Sequence, residues 1–411
     1  MLYLLLIVVG GFTWYVLEPD ERAKVVRAIF GVFGQAKHAA SQAARHRRKS
    51  DEFGAALRAR TRWVLATPAL ALINLFVFVS IAGGPSAAGE PGTLLEWGGN
   101  FGPLTSNGGW SRLLTSMFVH SGPLHLLINV AALVQLGLTL ERLVGAHAFA
   151  AVYVISGIFA SLVSLSAFPV NVSVGSSGAV SGVYGLLLAT ALWGLIQRSS
   201  VTIPLRAFKS LGPVTIVFLL YNAANSGLQA GAELGGLLTG LICGVGLSRG
   251  VAVSTPPLRR VVAATVSAAA VAIACAIPLR GISNVRPELE RIVALEAQLT
   301  AAYDKAVNQF KLGAMSARQL AQLIDRTIVP ELEAARARFQ GLSRVPRAQQ
   351  YLVASAEEYL RLRDESFRLR TEALQQANMA TLRDADRSER ASLEALEKTR
   401  AALSEDTAAR K

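Results

Sequence analysis

The chain of 411 residues is apolar and sparsely charged: 52% of its residues are hydrophobic, 17% are charged, and its mean hydropathy is +0.39. Disordered chains combine low hydrophobicity with high charge, and soluble domains carry about 25% charged residues. The composition therefore excludes a disordered chain and argues against a single soluble globule. The net charge of +13, spread at low density, indicates a membrane protein with basic loops more than a nucleic-acid-binding protein.

Charge divides the sequence near residue 280. Residues 1–280 contain 20 Lys and Arg but 9 Asp and Glu, whereas residues 281–411 contain 21 and 19. The first part is apolar and poor in acid, and the second is a mixed-charge helical sequence. Cys243 and Cys275 both lie in apolar stretches, which predicts buried free thiols, with no disulfide framework and no metal site.

Long apolar runs in the first part predict membrane helices. A hydrocarbon core about 30 Å thick needs ~20 helical residues. The runs that approach or reach this length are 63–83, 124–143, 148–168, 177–196, 213–225, 231–247 and 261–279. The run 213–225 is short. The run 2–17 is also short and lacks the basic start and cleavage site of a signal peptide, so residues 1–17 are expected to be a membrane anchor.

Basic residues predict the orientation in the membrane. Residues 18–62 carry 11 Lys and Arg and are expected to be cytoplasmic, with nucleic-acid binding as the less favoured alternative. If the helices alternate, the other basic groups fall on the same side: Arg142, Arg198, Arg206, Lys209, Arg249, Arg259 and Arg260. Residues 84–110 then form an outer loop. The chain is then expected to be a multi-pass protein of a bacterial-type inner or plasma membrane. Residues 281–411 are expected on the extra-cytoplasmic side.

The last 130 or so residues have a helical pattern. Leu360, Phe367 and Leu374 recur at seven-residue intervals, and Pro330 and the segment 341–346 interrupt the pattern. Two shorter helices and one long helix, from about 347 to 403, are expected to form an antiparallel bundle or coiled coil. The segment contains no catalytic constellation and is a candidate site for an extra-cytoplasmic protein partner.

Ionisable and strongly polar residues within predicted membrane helices are costly and indicate function by default. His125 and Asn129 are four residues apart and share one helix face. They could donate hydrogen bonds to a developing oxyanion, or they could stabilise contacts between helices. Glu141 lies beside Arg142 near a helix end and is expected to be salt-bridged or interfacial.

Two glycine-rich segments flank the remaining polar residues. Ser177 follows Gly175 and precedes Gly178 at the start of a predicted helix, where backbone N–H groups can stabilise an anion. The alternative is helix packing, with Gly178 and Gly182 as a GxxxG pair. Gly236 and Gly240 form a second such pair, in a helix that carries Glu233 at its start.

Residues 108–250 resemble the rhomboid family of intramembrane serine proteases. The matching features are Arg112 before the segment Leu-Leu-Thr-Ser-Met-Phe, the HxxxxHxxxN pattern at His120, His125 and Asn129, the GxSG pattern at Gly175 to Gly178, and the AxxxGxxxG pattern at Ala232, Gly236 and Gly240. The resemblance implies an all-α six-helix membrane core over residues 63–250, and residues 251–280 add a further transmembrane helix. It also implies that Ser177 is at the nucleophile position, that His125 and Asn129 are on the oxyanion side, and that no cofactor is needed.

The sequence departs from the family at two coupled positions. The family has histidine, as general base, where this chain has Glu233, and no histidine follows His147. In many members the residue four after the nucleophile is aromatic and packs on that histidine, whereas this chain has Ser181. The resemblance thus leaves two functions open. One is a catalytically impaired pseudoprotease that binds transmembrane segments of client proteins within the lipid bilayer. The other is an active protease with a Ser177–Glu233 dyad.

A transporter or channel is a third hypothesis, because Glu141 and Glu233 could be proton or ion sites. The sequence contains no inverted repeat and no pair of broken helices, which argues against it. No cluster of His, Asp, Glu or Cys predicts a metal site.

Overall fold

The computed structural model describes residues 55, 57–59, 61, 63–81, 89–196, 205–225, 230–249 and 254–408. The expected anchor at residues 1–17 and most of the basic segment 18–62 lie outside the described residues. Regular structure in the described part is helical, with a single antiparallel bridge between Asn100 and Ser173. The chain divides into two compact units, which meet in sequence between Arg280 and Gly281.

Seven long helices form the described part of the first unit. They are α1 (Ala66–Ser80), α2 (Pro123–Val144), α3 (Ala146–Ala167), α4 (Ser177–Ile196), α5 (Leu205–Asn225), α6 (Ala230–Leu247) and α7 (Leu258–Ala276). Four are long and apolar enough to cross a membrane, namely α2, α3, α6 and α7 with its extension to Leu279. Helix α1 and the apolar parts of α4 and α5 are shorter.

Helices α4 and α6 pack against each other with their backbones in direct contact, and α3 packs against both. A Cβ atom added at Gly236 would overlap the carbonyl oxygen of Gly178, and one added at Gly240 would overlap that of Gly182. The absence of side chains at these positions therefore permits the close approach. This confirms the packing interpretation of both glycine pairs, and it sets the start of α6 beside the start of α4.

Glu141 of α2 is fully buried and caps the start of α1. Its Oε1 accepts hydrogen bonds from the backbone N–H groups of Leu65 (2.7 Å) and Ala66 (2.8 Å), and its Oε2 accepts from the N–H and hydroxyl of Thr67 (2.7 Å each). The first N–H groups of a helix have no partner within it, and a carboxylate satisfies several at once. The expected salt bridge of Glu141 is therefore wrong, because its carboxyl group caps α1 instead.

The segment before α2 contains short helical pieces. They are Pro91–Glu96, Gly102–Thr105, Arg112–Thr115 and the 3-10 turn Ser116–Phe118. The guanidinium of Arg112 donates from Nη1 to the carbonyl oxygens of Leu95 (2.6 Å) and Gly99 (2.9 Å). Asn100 and Ser173 exchange two backbone hydrogen bonds (2.9 and 2.8 Å). The segment is thereby tied to the loop that leads into α4.

The two cysteines are free, as expected, but only one is shielded. Cys243 on α6 is partly buried, whereas Cys275 on α7 is exposed. Helix α7 packs on α3 along one side only, and most of its remaining side chains are exposed. The expectation of burial is therefore wrong for Cys275, because an apolar sequence in a membrane helix also suits a face turned to lipid.

The second unit is a helical assembly with its own hydrophobic core. Its helices are α8 (Arg286–Lys311), α9 (Ala317–Leu323), α10 (Val329–Gln340), α11 (Gln350–Gln376) and α12 (Met379–Ala408), with a π-helical turn at Ile324–Ile328. Leu360 and Phe367 are buried and Leu374 packs against the core, which confirms the seven-residue pattern as a packing seam.

The single long helix expected from about 347 to 403 is wrong. The chain turns at Ala377, whose φ of 52° is left-handed, and α11 and α12 pack against each other as a hairpin. The Asn378 side chain accepts a hydrogen bond from the backbone N–H of Ala380 (2.9 Å), and so caps the start of α12. This asparagine was the available sequence signal for the break.

A buried ionic cluster links three helices of this unit. Arg363 of α11 is 1% exposed and pairs with Glu296 of α8 (2.7 Å) and Glu389 of α12 (2.6 Å). The Tyr359 hydroxyl donates to the Glu296 carboxylate (2.5 Å). Buried charge of this kind needs its partners, so the cluster ties the relative positions of α8, α11 and α12 to one another.

Candidate active site

Ser177 begins α4 and lines a small cavity together with Glu233 of α6. Both residues contribute to the wall of this cavity. Its volume is about 20 Å³, which is room for a single water molecule. The remaining lining consists mostly of glycine, alanine and serine residues. They belong to α3, α4 and α6, to the loop before α4, and to the 3-10 turn before α2. The arrangement places the Ser177 hydroxyl and the Glu233 carboxyl group on the wall of one small cavity.

The close packing of α4 on α6 positions Glu233. The residue lies in the first turn of α6, one residue after Ala232, whose carbonyl faces Gly178. One carboxyl oxygen, Oε1, is buried with no hydrogen-bond partner within the described part of the chain. A buried acceptor without a donor costs free energy, so this oxygen is available to another group.

His120 hydrogen-bonds to Ser176, the residue before Ser177. The imidazole is fully buried. Its Nδ1 lies 3.3 Å from the carbonyl oxygen of Phe118, so we assign the proton to Nδ1. Its Nε2 then accepts from the hydroxyl (3.3 Å) and the backbone N–H (3.5 Å) of Ser176. Burial lowers the pKa of His120 well below its usual value, and His125 nearby lowers it further, which keeps the ring neutral as this arrangement requires.

His125 covers the loop at Gly175. Its Nδ1 hydrogen-bonds to the Ser121 hydroxyl (3.1 Å), and its ring packs edge-on against His120 with 5.1 Å between centroids. A Cβ at Gly175 would lie 2.5 Å from Cε1 of His125, and the φ of +110° at Gly175 is left-handed. Glycine is therefore required there both by backbone conformation and by space.

Asn129 is buried in α2, where its Nδ2 donates to the carbonyl oxygen of His125 (2.8 Å). Neither His125 nor Asn129 is among the residues that line the Ser177 cavity. Of the residues that the sequence singled out, the structure brings together Ser177, Glu233, Gly175 and Gly178 around the cavity, and it places His120 and His125 against the adjoining loop.

Comparison with known proteins identifies the family. A family model for the rhomboid domain matches residues 107–250. The rhomboid-type protein YdcA of Bacillus subtilis (strain 168) is 34% identical over 142 residues, which are 33% of this chain and 67% of YdcA. The chain belongs to the rhomboid family of intramembrane proteases. With its membrane-length apolar helices, this rhomboid is a multi-pass integral membrane protein.

Other relatives differ in what their names say of activity. Rhomboid protease GluP of Bacillus subtilis (strain 168) is 32% identical over 179 residues, which are 43% of this chain and 33% of GluP. Inactive RHOMBOID-like protein 8 of Arabidopsis thaliana is 35% identical over 120 residues, which are 29% of this chain and 34% of that protein. This rhomboid thus matches only about a third of the length of each, and proteins named as active and as inactive are both among its relatives.

Ser181 lies one helical turn after Ser177 and lines a second, larger cavity, to which Glu233 also contributes. This cavity has a volume of about 670 Å³ and lies between α4, α5 and α6 of the rhomboid domain. Glu233 therefore separates the small Ser177 cavity from a spacious apolar one.

Sequence reasoning missed the serines that complete the small cavity. Ser116 and Ser161 both line it, and their hydroxyl oxygens are 3.3 Å apart. Ser116 belongs to the Leu-Leu-Thr-Ser-Met-Phe segment that follows Arg112, but Ser161 lies 45 residues further on and belongs to no motif, so nothing in the sequence connects the two. No group of three His, Cys, Asp or Glu side chains suited to a metal ion occurs in the described ranges.

Proposed function

We propose that this rhomboid is a catalytically impaired member of its family that binds transmembrane segments of client proteins. The observation that carries the proposal is the identity of the group opposite Ser177. That group is the Glu233 carboxyl, and no histidine is among the described residues that line the cavity. Serine is a weak nucleophile that needs a positioned base, and the family uses histidine at this position.

A carboxyl group is a poor substitute for that imidazole. Histidine offers one ring nitrogen to the serine and a second to an orienting group, whereas Oε1 of Glu233 has no orienting partner among the described residues. Loss of one member of a serine–base unit costs on the order of 10⁶ in rate in a serine protease. A relative named as inactive, at 35% identity, supports the idea that the scaffold can be used without proteolysis.

We further propose that residues 18–62 are cytoplasmic and that residues 281–411 lie on the opposite side. The excess of Lys and Arg in the first segment supports this orientation. The second unit then offers a helical surface to an extra-cytoplasmic protein partner, while the membrane unit contacts client helices and lipid. The chain is proposed to act without cofactor or metal and without nucleic acid.

The second candidate function is an active endopeptidase with a Ser177–Glu233 dyad. The specific observation in its favour is that the two residues line one cavity with room for a water molecule. A carboxylate can accept the serine proton directly if its reach and alignment suit the attack on a peptide carbonyl. In this scheme Ser177 attacks, Glu233 receives the proton, and the same carboxylic acid returns it to the leaving amine.

Labelling with a serine-directed fluorophosphonate separates the two candidates. We expect the purified full chain in detergent to show only background labelling, equal to that of Ser177→Ala. The double variant Glu233→His with Ser181→Tyr restores an imidazole and an aromatic neighbour, and we expect it to gain labelling at Ser177. Strong labelling of the unmodified chain that is lost in both Ser177→Ala and Glu233→Gln would instead establish the dyad and refute the impaired enzyme.

A further inference from the structure

Three arginines come together where α6 ends and α7 begins. Arg249 lies two residues after the end of α6 at Leu247, and Arg259 and Arg260 lie in the first turn of α7. The guanidinium of Arg260 donates from Nη1 to the backbone carbonyl oxygen of Arg249 (2.6 Å), so the two helix ends are joined. All three arginines are exposed, and together they form the arginine cluster.

Carboxylates are scarce in this part of the chain. Between Glu96 and Glu288 the sequence contains only Glu141 and Glu233. Both oxygens of Glu141 accept hydrogen bonds at the start of α1. Glu233 lies in the first turn of α6, roughly 24 Å along the helix from Arg249 at 1.5 Å per residue. Neither carboxylate can neutralise the arginine cluster, so its counter-charge must come from outside the described part of the chain.

The start of α7 adds to the positive field. A helix N-terminus carries a partial positive charge, which acidic residues in the first turn offset. The first turn of α7 has no acidic residue, and Pro257 at the N-cap position contributes no side-chain hydrogen bond. Arg259 and Arg260 therefore stand where a helix disfavours cations. An anion bound beside them relieves this repulsion and also pairs with the guanidinium groups.

Arg249 is oriented by an aromatic ring. Its guanidinium lies over the ring of Trp193 in α4, 5.6 Å from the ring centroid. A guanidinium stacked in this way still presents the N–H groups of its edge, and this planar edge suits the paired oxygens of a phosphate group. The arginine cluster therefore favours phosphate as its anion.

Apolar surface leads from the arginine cluster along α7. Leu258, Val262 and Val266 follow at intervals of four residues, which places them on one helix face, and their side chains are 60%, 51% and 62% exposed. Helix α7 is long and apolar enough to cross a membrane, and such a face is turned to lipid. A phosphate ion would contact the arginines alone, whereas a phospholipid would contact both the arginines and this face.

We propose that Arg249, Arg259 and Arg260 bind the phosphate group of an anionic phospholipid whose acyl chains lie along α7. The inference requires neither proteolysis nor client binding. The site is at the opposite end of α6 from Glu233. In the proposed orientation that end faces the cytoplasmic leaflet, which is the leaflet that carries anionic lipids.

Native mass spectrometry of the purified full chain tests the site. The protein in a nonionic detergent is titrated with phosphatidylglycerol or with phosphatidylcholine of the same acyl chains, and the fraction of protein with bound lipid gives the dissociation constant. Both lipids contain phosphate, but only phosphatidylglycerol has a net negative charge. We expect tighter binding of phosphatidylglycerol. Since a basic residue near an anionic lipid contributes about fivefold in affinity, Arg259→Gln should weaken that binding about fivefold, and replacement of all three arginines by Gln should weaken it on the order of a hundredfold.

Single variants provide the controls. The Arg259 side chain makes no hydrogen bond or ion pair with any described residue, so Arg259→Gln should leave the fold unchanged, which thermal unfolding in lipid-free detergent verifies. Arg259→Lys keeps the charge and should retain most of the affinity. Arg318→Gln makes the same change in net charge at an exposed position of the second unit and should have no effect. Equal affinities for the two lipids, or an equal loss in Arg318→Gln, would overturn the inference.

Two competitors distinguish the lipid from other anions. Inorganic phosphate at the concentration of the lipid should not displace phosphatidylglycerol, because it gains no contact with the apolar face of α7. Displacement by inorganic phosphate would assign the arginine cluster to a free phosphate ion. Displacement by a soluble Glu-rich peptide, lost in Arg259→Gln, would assign the cluster to an acidic protein partner. Either result would refute the phospholipid as the ligand.

Discussion

Two carboxylates in the membrane helices have opposite surroundings. Glu141 accepts hydrogen bonds from three backbone N–H groups and one hydroxyl, so both of its carboxyl oxygens are satisfied in a structural role. Glu233 shares its cavity with Ser177, and one of its oxygens has no partner in the described structure. Since buried polar groups are normally satisfied, the unpaired oxygen supports the role that we propose for Glu233 opposite Ser177.

Glu141→Gln tests the structural role. The amide keeps the shape of the side chain but replaces one acceptor oxygen by an NH₂ group that faces backbone donors. Hydrogen bonds to charged groups contribute ~1.5–3 kcal/mol, so we expect a loss of about 2 kcal/mol or more in unfolding free energy. Thermal unfolding in detergent measures it. Glu96→Gln, at an exposed position, is the control, and an equal change in both variants would contradict the capping role.

At the level of helices, the contact between α4 and α6 depends on the absence of side chains. Gly236→Ala would place a methyl group against the carbonyl oxygen of Gly178, so the two helices must separate. Overpacking of this kind typically costs ~1–3 kcal/mol. Ser177 lies on α4 and Glu233 lies on α6. We therefore also expect a change in the rate of any reaction that requires these two side chains to be close.

Gly246→Ala is the matched control, because a Cβ there meets no atom within 4 Å and the residue lies on the same helix. The comparison is made by thermal unfolding of the two variants in the same detergent. The stability of Gly246→Ala should equal that of the unmodified chain or exceed it slightly, since alanine favours the helix more than glycine does. Equal stability of both variants would show that the helices do not approach as closely as the structure indicates.

The second unit depends on a different kind of contact. Arg363→Ala leaves the buried carboxylate of Glu296 without its partner, and breaking a buried ion pair in this way costs ~3–5 kcal/mol. Arg361 pairs with Glu358 and Glu365 on the surface, where half of its side chain is exposed, so Arg361→Ala should change little. Circular dichroism of the full chain during heating should show loss of helix at lower temperature for Arg363→Ala alone.

Sequence patterns predicted the features that depend on neighbouring residues along one helix, such as its bounds and its buried face. The run 177–196 forms α4 with those bounds, and the seven-residue repeat at Leu360 and Phe367 forms the buried seam of the second unit. The cap at Glu141 and the pair of Arg363 with Glu296 join residues 67 to 76 positions apart. Such pairs depend on how helices pack, and neither periodicity nor spacing within one helix indicates them. The break at Ala377 was missed because a left-handed residue at a helix end is usually glycine, whereas here it is alanine.

For the molecule as a whole, the rhomboid family model and the second unit cover different parts of the chain. The rhomboid model matches residues 107–250, and the second unit begins at Gly281. The positive charge is concentrated before residue 281, and the second unit is nearly neutral because it contains 21 Lys and Arg and 19 Asp and Glu. Its charge therefore gives little preference for a side of the membrane, and the basic residues of the first unit must set the orientation.

Cysteine labelling tests that orientation in the whole protein. In a background with Cys243 and Cys275 replaced by Ala, one variant carries Ser50→Cys in the basic segment and another carries Ala314→Cys, an exposed position of the second unit. In right-side-out membrane vesicles, an impermeant maleimide should label the cysteine at 314 and should reach the one at 50 only after detergent is added. Inverted vesicles should give the reverse. Labelling of both positions from the same side would show an even number of crossings between them and would exclude the proposed extra-cytoplasmic place of the second unit.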